Sequence, residues 1–335
     1  MSPTVAAGFI PVSYFTVEQL RVYKALKERR MFKFICGASY SDFNAVLNFS
    51  KVFSRAGAHL IDVAAHPTIV SAAREGIENS GISPEKSPAI MVSLSLDHQQ
   101  DPHFRRVALD TKACDTCGAC IMDCPTQAFS IKDRQLQYQK ERCYGCGACV
   151  PLCHVDALTP EPLAAFQPSV LPELWQLGAR ALEIHVGPNF YWLEPYLHKI
   201  KEISPEPWLL SICLGSSFAS YSELQEQGQE IYNLLGADAI VQIDGKAMSG
   251  HQRADSNMLQ ALAGAQALLE LEKPLYVQVS GGANDRIRDL LDQFGIRAHG
   301  VGMGGYAKKL IDPYLGDTET AVGIASKLVA SIRPR

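Results

Sequence analysis

Eight of the chain's ten cysteines fall in two runs of identical spacing, and no other feature restricts the fold so sharply. Cys114, Cys117, Cys120 and Cys124 make C-x2-C-x2-C-x3-C, followed by Pro125. Cys143, Cys146, Cys149 and Cys153 repeat it 143 − 114 = 29 positions later. That is the spacing for a pair of [4Fe–4S] clusters. Three thiolates on one tight loop cap a corner of an iron–sulfur cube, and the fourth lies too far along to close the same cube, so it serves the other one. The expected sets are Cys114, Cys117, Cys120 with Cys153, and Cys143, Cys146, Cys149 with Cys124.

The competing uses of cysteine fit poorly. A zinc site needs four ligands and has no use for the whole run twice. A disulfide framework suits a short secreted chain, whereas this one has 335 residues and opens without the charged-then-apolar order of a secretory signal. Reduced thiols and iron point to the cytoplasm. A net charge of −4 gives no basic surface for nucleic acid, and no apolar run approaches a membrane span. Cys36 and Cys213, outside the runs, read as buried thiols. The first run ends in Cys124-Pro125 and the second in Cys153-His154. Either His154 turns to solvent, the simpler expectation, or its imidazole sits by a cluster sulfide and tunes it.

Around the cysteines, apolar runs and helical patterns alternate. Strands are expected at 32–36, 58–63, 89–94, 181–186, 208–213, 239–243, 275–279 and 298–303. Helices are expected at 42–56, 67–78, 171–178, 190–203, 222–235, 257–271, 285–293 and 318–332. Eight βα units of short, continuously apolar strands predict an α/β fold, a (β/α)8 barrel. The runner-up, an open doubly wound sheet, lacks a G-x-G-x-x-G turn after its first strand. An amphipathic segment at 16–30 is expected to plug the closed end of the barrel. The predicted organisation is an N-terminal segment at 1–30, barrel at 31–100, a bacterial ferredoxin-like 2[4Fe–4S] module at 101–160, and barrel again at 161–335. A module that small buries little apolar surface, so the clusters hold it folded.

The module interrupts the third βα loop. Such loops emerge at the C-terminal face, where barrel active sites lie, so the clusters should stand beside the barrel mouth. The loops after strands seven and eight carry Gly281, Gly282, Gly304 and Gly305, which read as an anion or phosphate site with Lys308 or Lys309 supplying charge. Flavin mononucleotide is the natural though less favoured tenant. Asp62, Glu183, His185, Asp244 and Lys246 fall near strand ends, Glu183 and His185 on one face. Rim salt bridges are the plainer reading of these groups. No G-x-S-x-G, H-E-x-x-H, Walker or triad signature is present, so catalytic residues stay unknown.

Three stretches outside the cysteines carry a resemblance: 33–39 (KFICGAS), 56–65 (AGAHLIDVAA) and 300–311 (GVGMGGYAKKLI). With the cluster runs they resemble the cyanobacterial light-dependent period (LdpA) family across nearly the whole chain. The resemblance implies an iron–sulfur redox sensor on the input side of the circadian clock, reporting electron-carrier state. It implies redox carriers (ferredoxin or the quinone pool) and clock-input proteins as partners, and the eight cysteines as the cluster ligands. It brings no catalytic residue. The alternative function is an iron–sulfur oxidoreductase working at the barrel mouth. A plain electron carrier ranks last, because it needs no such scaffold.

Overall fold

The computed structural model describes residues 14–215, 219–245 and 254–334. The chain runs α1 (Val17–Lys27), β1 (Met31–Ile35), α2 (Phe43–Ala56), β2 (Leu60–Ala64), α3 (Pro67–Glu78) and β3 (Ala89–Ser95). The cysteine segment follows, with β4 (Arg105–Leu109), α4 (Ala119–Met122), β5 (Phe129–Lys132), β6 (Gln135–Tyr138) and β7 (Leu158–Pro162). The chain then continues with α5 (Leu171–Gln176), β8 (Ala179–His185), α6 (Leu193–Ile203), β9 (Leu209–Gly215), α7 (Tyr221–Leu235) and β10 (Ile240–Asp244). It ends with α8 (Ala254–Leu269), β11 (Tyr276–Val279), α9 (Ile287–Gln293), β12 (Gly300–Met303), α10 (Gly305–Ile311) and α11 (Thr318–Ser331).

Eight parallel strands close a barrel in the order β1-β12-β11-β10-β9-β8-β3-β2. Pairing of β1 with β12, Met31 opposite Gly300 through Phe34 opposite Met303, rules out the open sheet. Every expected strand is present, its ends shifted by a residue or two. The helices start and stop where local chemistry says they should. Asp42 Oδ1 accepts from Ala45 N–H at 3.0 Å to open α2, and Gly57 ends it at φ 92°. A Ser220/Glu223 capping box opens α7. The short α10 between β12 and α11 is not announced by the sequence pattern.

The strands depart from the expectation of continuous apolar runs. One face of each packs outward on the helices: Phe32 and Phe34, Ile61 and Val63, Leu182 and Ile184, Val241 and Ile243 all belong to the main core. The alternate positions point into the lumen, and there every residue type changes with depth. The lowest layer is apolar: Met31, Leu60, Met91, Ala181, Leu209 and Ile240. The layer above is polar and still buried: Lys33, Asp62, Ser93, Glu183, Gln242 and Gln278. Barrel interiors usually favour bulky branched residues, so this lumen is built at a cost in desolvation.

Helix α1 seals the apolar end, as expected. Val22, Tyr23, Ala25 and Leu26 pack on the lowest layer. Gln19, fully buried, fixes the plug twice over. Its Oε1 accepts from Thr16 N–H at 2.8 Å, and its Nε2 donates to the carbonyls of Arg180 and Pro207 at 2.7 and 2.6 Å. Gln19→Leu should therefore destabilise the barrel by about 2 kcal/mol, since two buried carbonyls and a cap lose their partners. The urea midpoint of the far-UV signal measures this, and an unchanged midpoint would reject it.

The cysteine segment leaves the end of β3 and returns to α5, so it hangs on the third βα loop. Its root is the antiparallel pair β4–β7. Beyond the root, β5 and β6 form a two-residue hairpin turned by Asp133 and Arg134, both at positive φ. The segment is fastened to the barrel by Arg142, whose Nη2 donates to both Asp312 carboxylate oxygens at 2.9 Å. Arg106 adds bonds to the Ser39 carbonyl at 2.9 Å and Ser41 Oγ at 2.7 Å. None of the described helices is long and apolar enough to cross a membrane.

Candidate functional site

The 29-residue repeat of the sequence (143 − 114) is also a repeat of backbone geometry. Thr116 and Gly145, Gly118 and Gly147, Gln127 and Asp156 are matched pairs, and all six have positive φ. The amide of Ala128 donates to Cys124 Sγ at 3.3 Å, and that of Ala157 to Cys153 Sγ at 3.2 Å. One asymmetry has a steric cause. A Cβ on Gly145 would stand 2.3 Å from the Arg105 carbonyl oxygen, whereas the first loop tolerates Thr116 at the matching position. None of the ten cysteines is in a disulfide, and Cys36 and Cys213 are buried.

Cys124, Cys143, Cys146 and Cys149 line one small pocket. Burial, with Cys114, Cys117 and Cys153 as thiol neighbours, pushes the Cys120 thiol up to about 11. Cys149 is pushed up by burial and then by Cys146, Cys143 and Cys124, with Cys120 weaker still. The last cysteine of each run thus has thiols of the other run as neighbours. His154 is exposed, its Nε2 3.0 Å from Asp115 Oδ2, at the surface rather than folded into the cysteine core.

Beside these loops the barrel opens into a cavity of about 550 Å³, within the range of small-molecule sites. Cys146 and Tyr144 form part of its wall. Gly281, Gly282, Gly304 and Gly305, drawn from two different loops, all reach it. Gly281 has no room for a side chain, because a Cβ at its φ of 70° would lie 2.4 Å from Gly245 N. Lys308 and Lys309 also line the cavity, but Lys308 is committed elsewhere. Its buried ammonium donates to the carbonyls of Cys36 and of Ile35, and stands 4.0 Å from the Tyr144 ring centre. Burial lowers its pKa to about 8.

The cavity floor is the polar lumen. Lys33 Nζ and Glu183 Oε2 are 2.7 Å apart with no exposure on either side. Burial alone would discharge Lys33, but Glu183 and Asp62 outweigh it and hold the ammonium charged. Asp62 accepts from Ser93 Oγ at 2.8 Å, and burial, with Glu183 close by, raises its carboxyl to about 7 despite Lys33. Gln242 accepts from Gln278 and, at 3.0 Å, from Ser280 Oγ. One wall carries His103, His185 and Asp244, with Asp101 beside them in a small adjoining pocket. Burial would raise Asp101, but His185 and His103 more than offset it and keep the carboxylate ionised. Burial also lowers His185, while Asp101 and Asp244 overcome it at His103, whose pKa rises.

The strand-end groups Asp62, Glu183, His185 and Asp244 thus converge on the lumen and its mouth rather than on a rim. Lys246 lies outside the described residues. Lys33, Gln242, Gln278, Ser280, Asp101 and His103 were not singled out by sequence reasoning. The first three were signalled all the same. In each of their strands a polar residue interrupts the apolar run at the lumen-facing position, as in Phe32-Lys33-Phe34 and Val277-Gln278-Val279.

Comparison with known proteins agrees with this anatomy. Residues 113–157 match the 4Fe-4S dicluster domain, and residues 173–331 match the light dependent period A C-terminal domain. A curated relative, Light dependent period A of Synechococcus elongatus, is 32% identical over 312 residues, 87% of this chain and 84% of the relative. Among solved structures, a tryptophan synthase from Mycobacterium tuberculosis aligns over 96% of this chain and 100% of its own. It has a TM-score of 0.50 and 11% identity, a likeness of barrel fold alone. The chain is an iron–sulfur protein and belongs to the light-dependent period A family.

Proposed function

We propose that this chain carries two [4Fe–4S] clusters and senses the cell's electron-carrier state as an input to circadian regulation. The ligand sets are Cys114, Cys117, Cys120 with Cys153, and Cys143, Cys146, Cys149 with Cys124. The residues fit such a pair: eight cysteines outside any disulfide, Cys124 beside the second run and Cys153 beside Cys120, with an amide donor on each crossing sulfur. The clusters supply one-electron exchange and a change of charge. The name and sequence of the Synechococcus relative support the clock role. Redox carriers (ferredoxin or the quinone pool) and clock-input proteins are the proposed partners, in the cytoplasm. The proposed limits of the cluster module are 101–160, between barrel segments 31–100 and 161–335 and after an N-terminal segment, 1–30.

The observation that carries this reading is the line from Cys146 to β1. Cys146 is an electrostatic neighbour of both Tyr144 and Lys308, Lys308 sits on the Tyr144 ring, and its ammonium grips the last carbonyls of β1 and the loop beyond. Charge arriving at Cys146 pulls on Lys308, a buried cation, and so on the rim of the barrel. A sensor needs partner affinities that differ between its two states. Capture of partners on reduced and on oxidised protein should therefore give unequal recoveries. Lys308→Met should keep its iron and narrow that difference several-fold. Equal recovery of every partner in both states overturns the sensor.

A second reading is favoured by the cavity itself. It brings Asp62, His103, His185 and Asp244 to one space bordered by Cys146, the layout an iron–sulfur oxidoreductase would use at a barrel mouth. Flavin mononucleotide, its phosphate on Gly281, Gly282, Gly304 and Gly305, is the organic cofactor this reading would add. Mass spectrometry of small molecules released from the purified protein tests for it.

A further inference from the structure

A second group of metal-binding side chains stands apart from the cysteines. Asp101 and His103 lie at the root of the cluster segment, in and just before the 3-10 turn Pro102–Phe104, and His185 ends β8. One ligand atom from each lies within 4.8 Å of the other two. Asp101 Oδ1 is 2.9 Å from His103 Nδ1, and Asp101 Oδ2 is 3.7 Å from His185 Nδ1. On the far side of His103, Nε2 is 3.6 Å from Asp244 Oδ2.

The group is electrostatically incomplete. Asp101 Oδ2 and Asp244 Oδ1 are buried and have no hydrogen-bond partner among the described residues. The two side chains are only 6% and 9% exposed, so bulk solvent does little to solvate them. Buried carboxylate oxygens normally find a donor or a cation, because leaving them bare forfeits their solvation. A cation shared by Asp101 and the imidazoles would answer that deficit.

We propose that Asp101, His103 and His185 bind a divalent first-row metal ion at the barrel mouth, braced from behind by Asp244. Two imidazoles and one carboxylate suit zinc or ferrous iron, whereas the thiolate runs take the clusters. Ligand bonds of about 2.0–2.1 Å put neighbouring donor atoms of a tetrahedral ion about 3.3 Å apart, a modest closing-in of three donor atoms that already lie within 4.8 Å of one another. With His103 Nδ1 on the ion, Nε2–H turns to Asp244, the outer carboxylate that fixes tautomer and ring orientation. Three protein ligands leave one position open. His103 and His185 both line the 550 Å³ cavity, so that position faces its contents and is available to an oxygen-bearing ligand.

The test uses full-length protein prepared anaerobically with its iron and sulfide in place, dialysed against Zn2+ alone. One zinc per chain should remain beyond the iron. X-ray absorption should fit nitrogen and oxygen near 2.0–2.1 Å with no sulfur near 2.3 Å, which separates this site from zinc lodged in a cysteine run. His185→Gln should abolish that zinc, and Asp244→Asn should weaken it about tenfold to a hundredfold, with iron and sulfide unchanged. Because His185→Gln alters a wall close to the module root, Asp244→Asn decides if the first variant also loses iron. Absence of extra zinc, a sulfur shell, or zinc affinity unchanged in both variants overturns the site. Failure of the iron–sulfur reading would show separately, in the iron and sulfide of the untreated protein.

Discussion

Cys153→Ala should strip the protein of the cluster assigned to Cys114, Cys117 and Cys120 and leave the nearer one in place. Iron should fall from roughly eight to roughly four atoms per chain. The paramagnetic spectrum of the reduced variant should match that of Cys117→Ala, 36 positions away, and differ from that of Cys146→Ala, only 7 positions away. The reason is the proposed crossed assignment: Cys153 is a neighbour of Cys120, and Cys124 lines one small pocket with Cys143, Cys146 and Cys149. The loss should also loosen half of the module. Its small core consists of Val107, Cys120, Ala128, Phe129, Cys143, Cys149 and Leu158, so cysteines make up nearly half of it. Such a core depends on what its thiolates hold. The barrel keeps its own core and should melt as before. If Cys153→Ala instead reproduces the spectrum of Cys146→Ala, the crossed assignment is wrong.

The sequence made the barrel legible because eight apolar runs alternate with eight helical patterns, and that arithmetic survives errors of a residue or two at every boundary. The plug was legible from the amphipathicity of the 16–30 segment, and the position of the cysteine segment followed from which strand it interrupts. The polar lumen was harder to see. Reading each strand as continuously apolar hides the one polar residue that alternation aims inward. Glu183 and His185 were put on one face by the two-residue period, but the partner of Glu183 is Lys33, 150 positions earlier. Only closure of the sheet brings β1 and β8 within reach of each other. Asp101 and His103 gave no signal, since a 3-10 turn has no periodicity to read and its approach to His185 depends on how the segment docks. Lys308 was offered to an anion because it follows a glycine loop. Since β12 pairs with β1, the helix leaving β12 lies over the end of β1, and the ammonium turns to those carbonyls instead.

The same lumen sets the second large expectation, which concerns stability. Lys33→Met should destabilise the barrel by about 3–5 kcal/mol, because removing one member of a buried ion pair strands the other. Glu183 and Asp62 would then face each other in the buried lumen without their nearest cation. Glu183→Gln should cost less, since Lys33 keeps Asp62 as a neighbour. The double variant Lys33→Met/Glu183→Met should recover much of the loss, leaving one carboxyl that can stay protonated. The pH dependence has a definite sign. Asp62, already raised to about 7 by burial, rises further without Lys33, while its unfolded value stays near 3.9. Between those values the native state holds more protons than the unfolded chain, so stability falls as pH rises through that window. Lys33→Met should therefore be least stable relative to the parent near about pH 8 and regain ground toward about pH 5. Urea midpoints at the two pH values measure this. A loss that does not change between them would mean that no stranded carboxylate is involved, and the lumen would have to be held by packing alone.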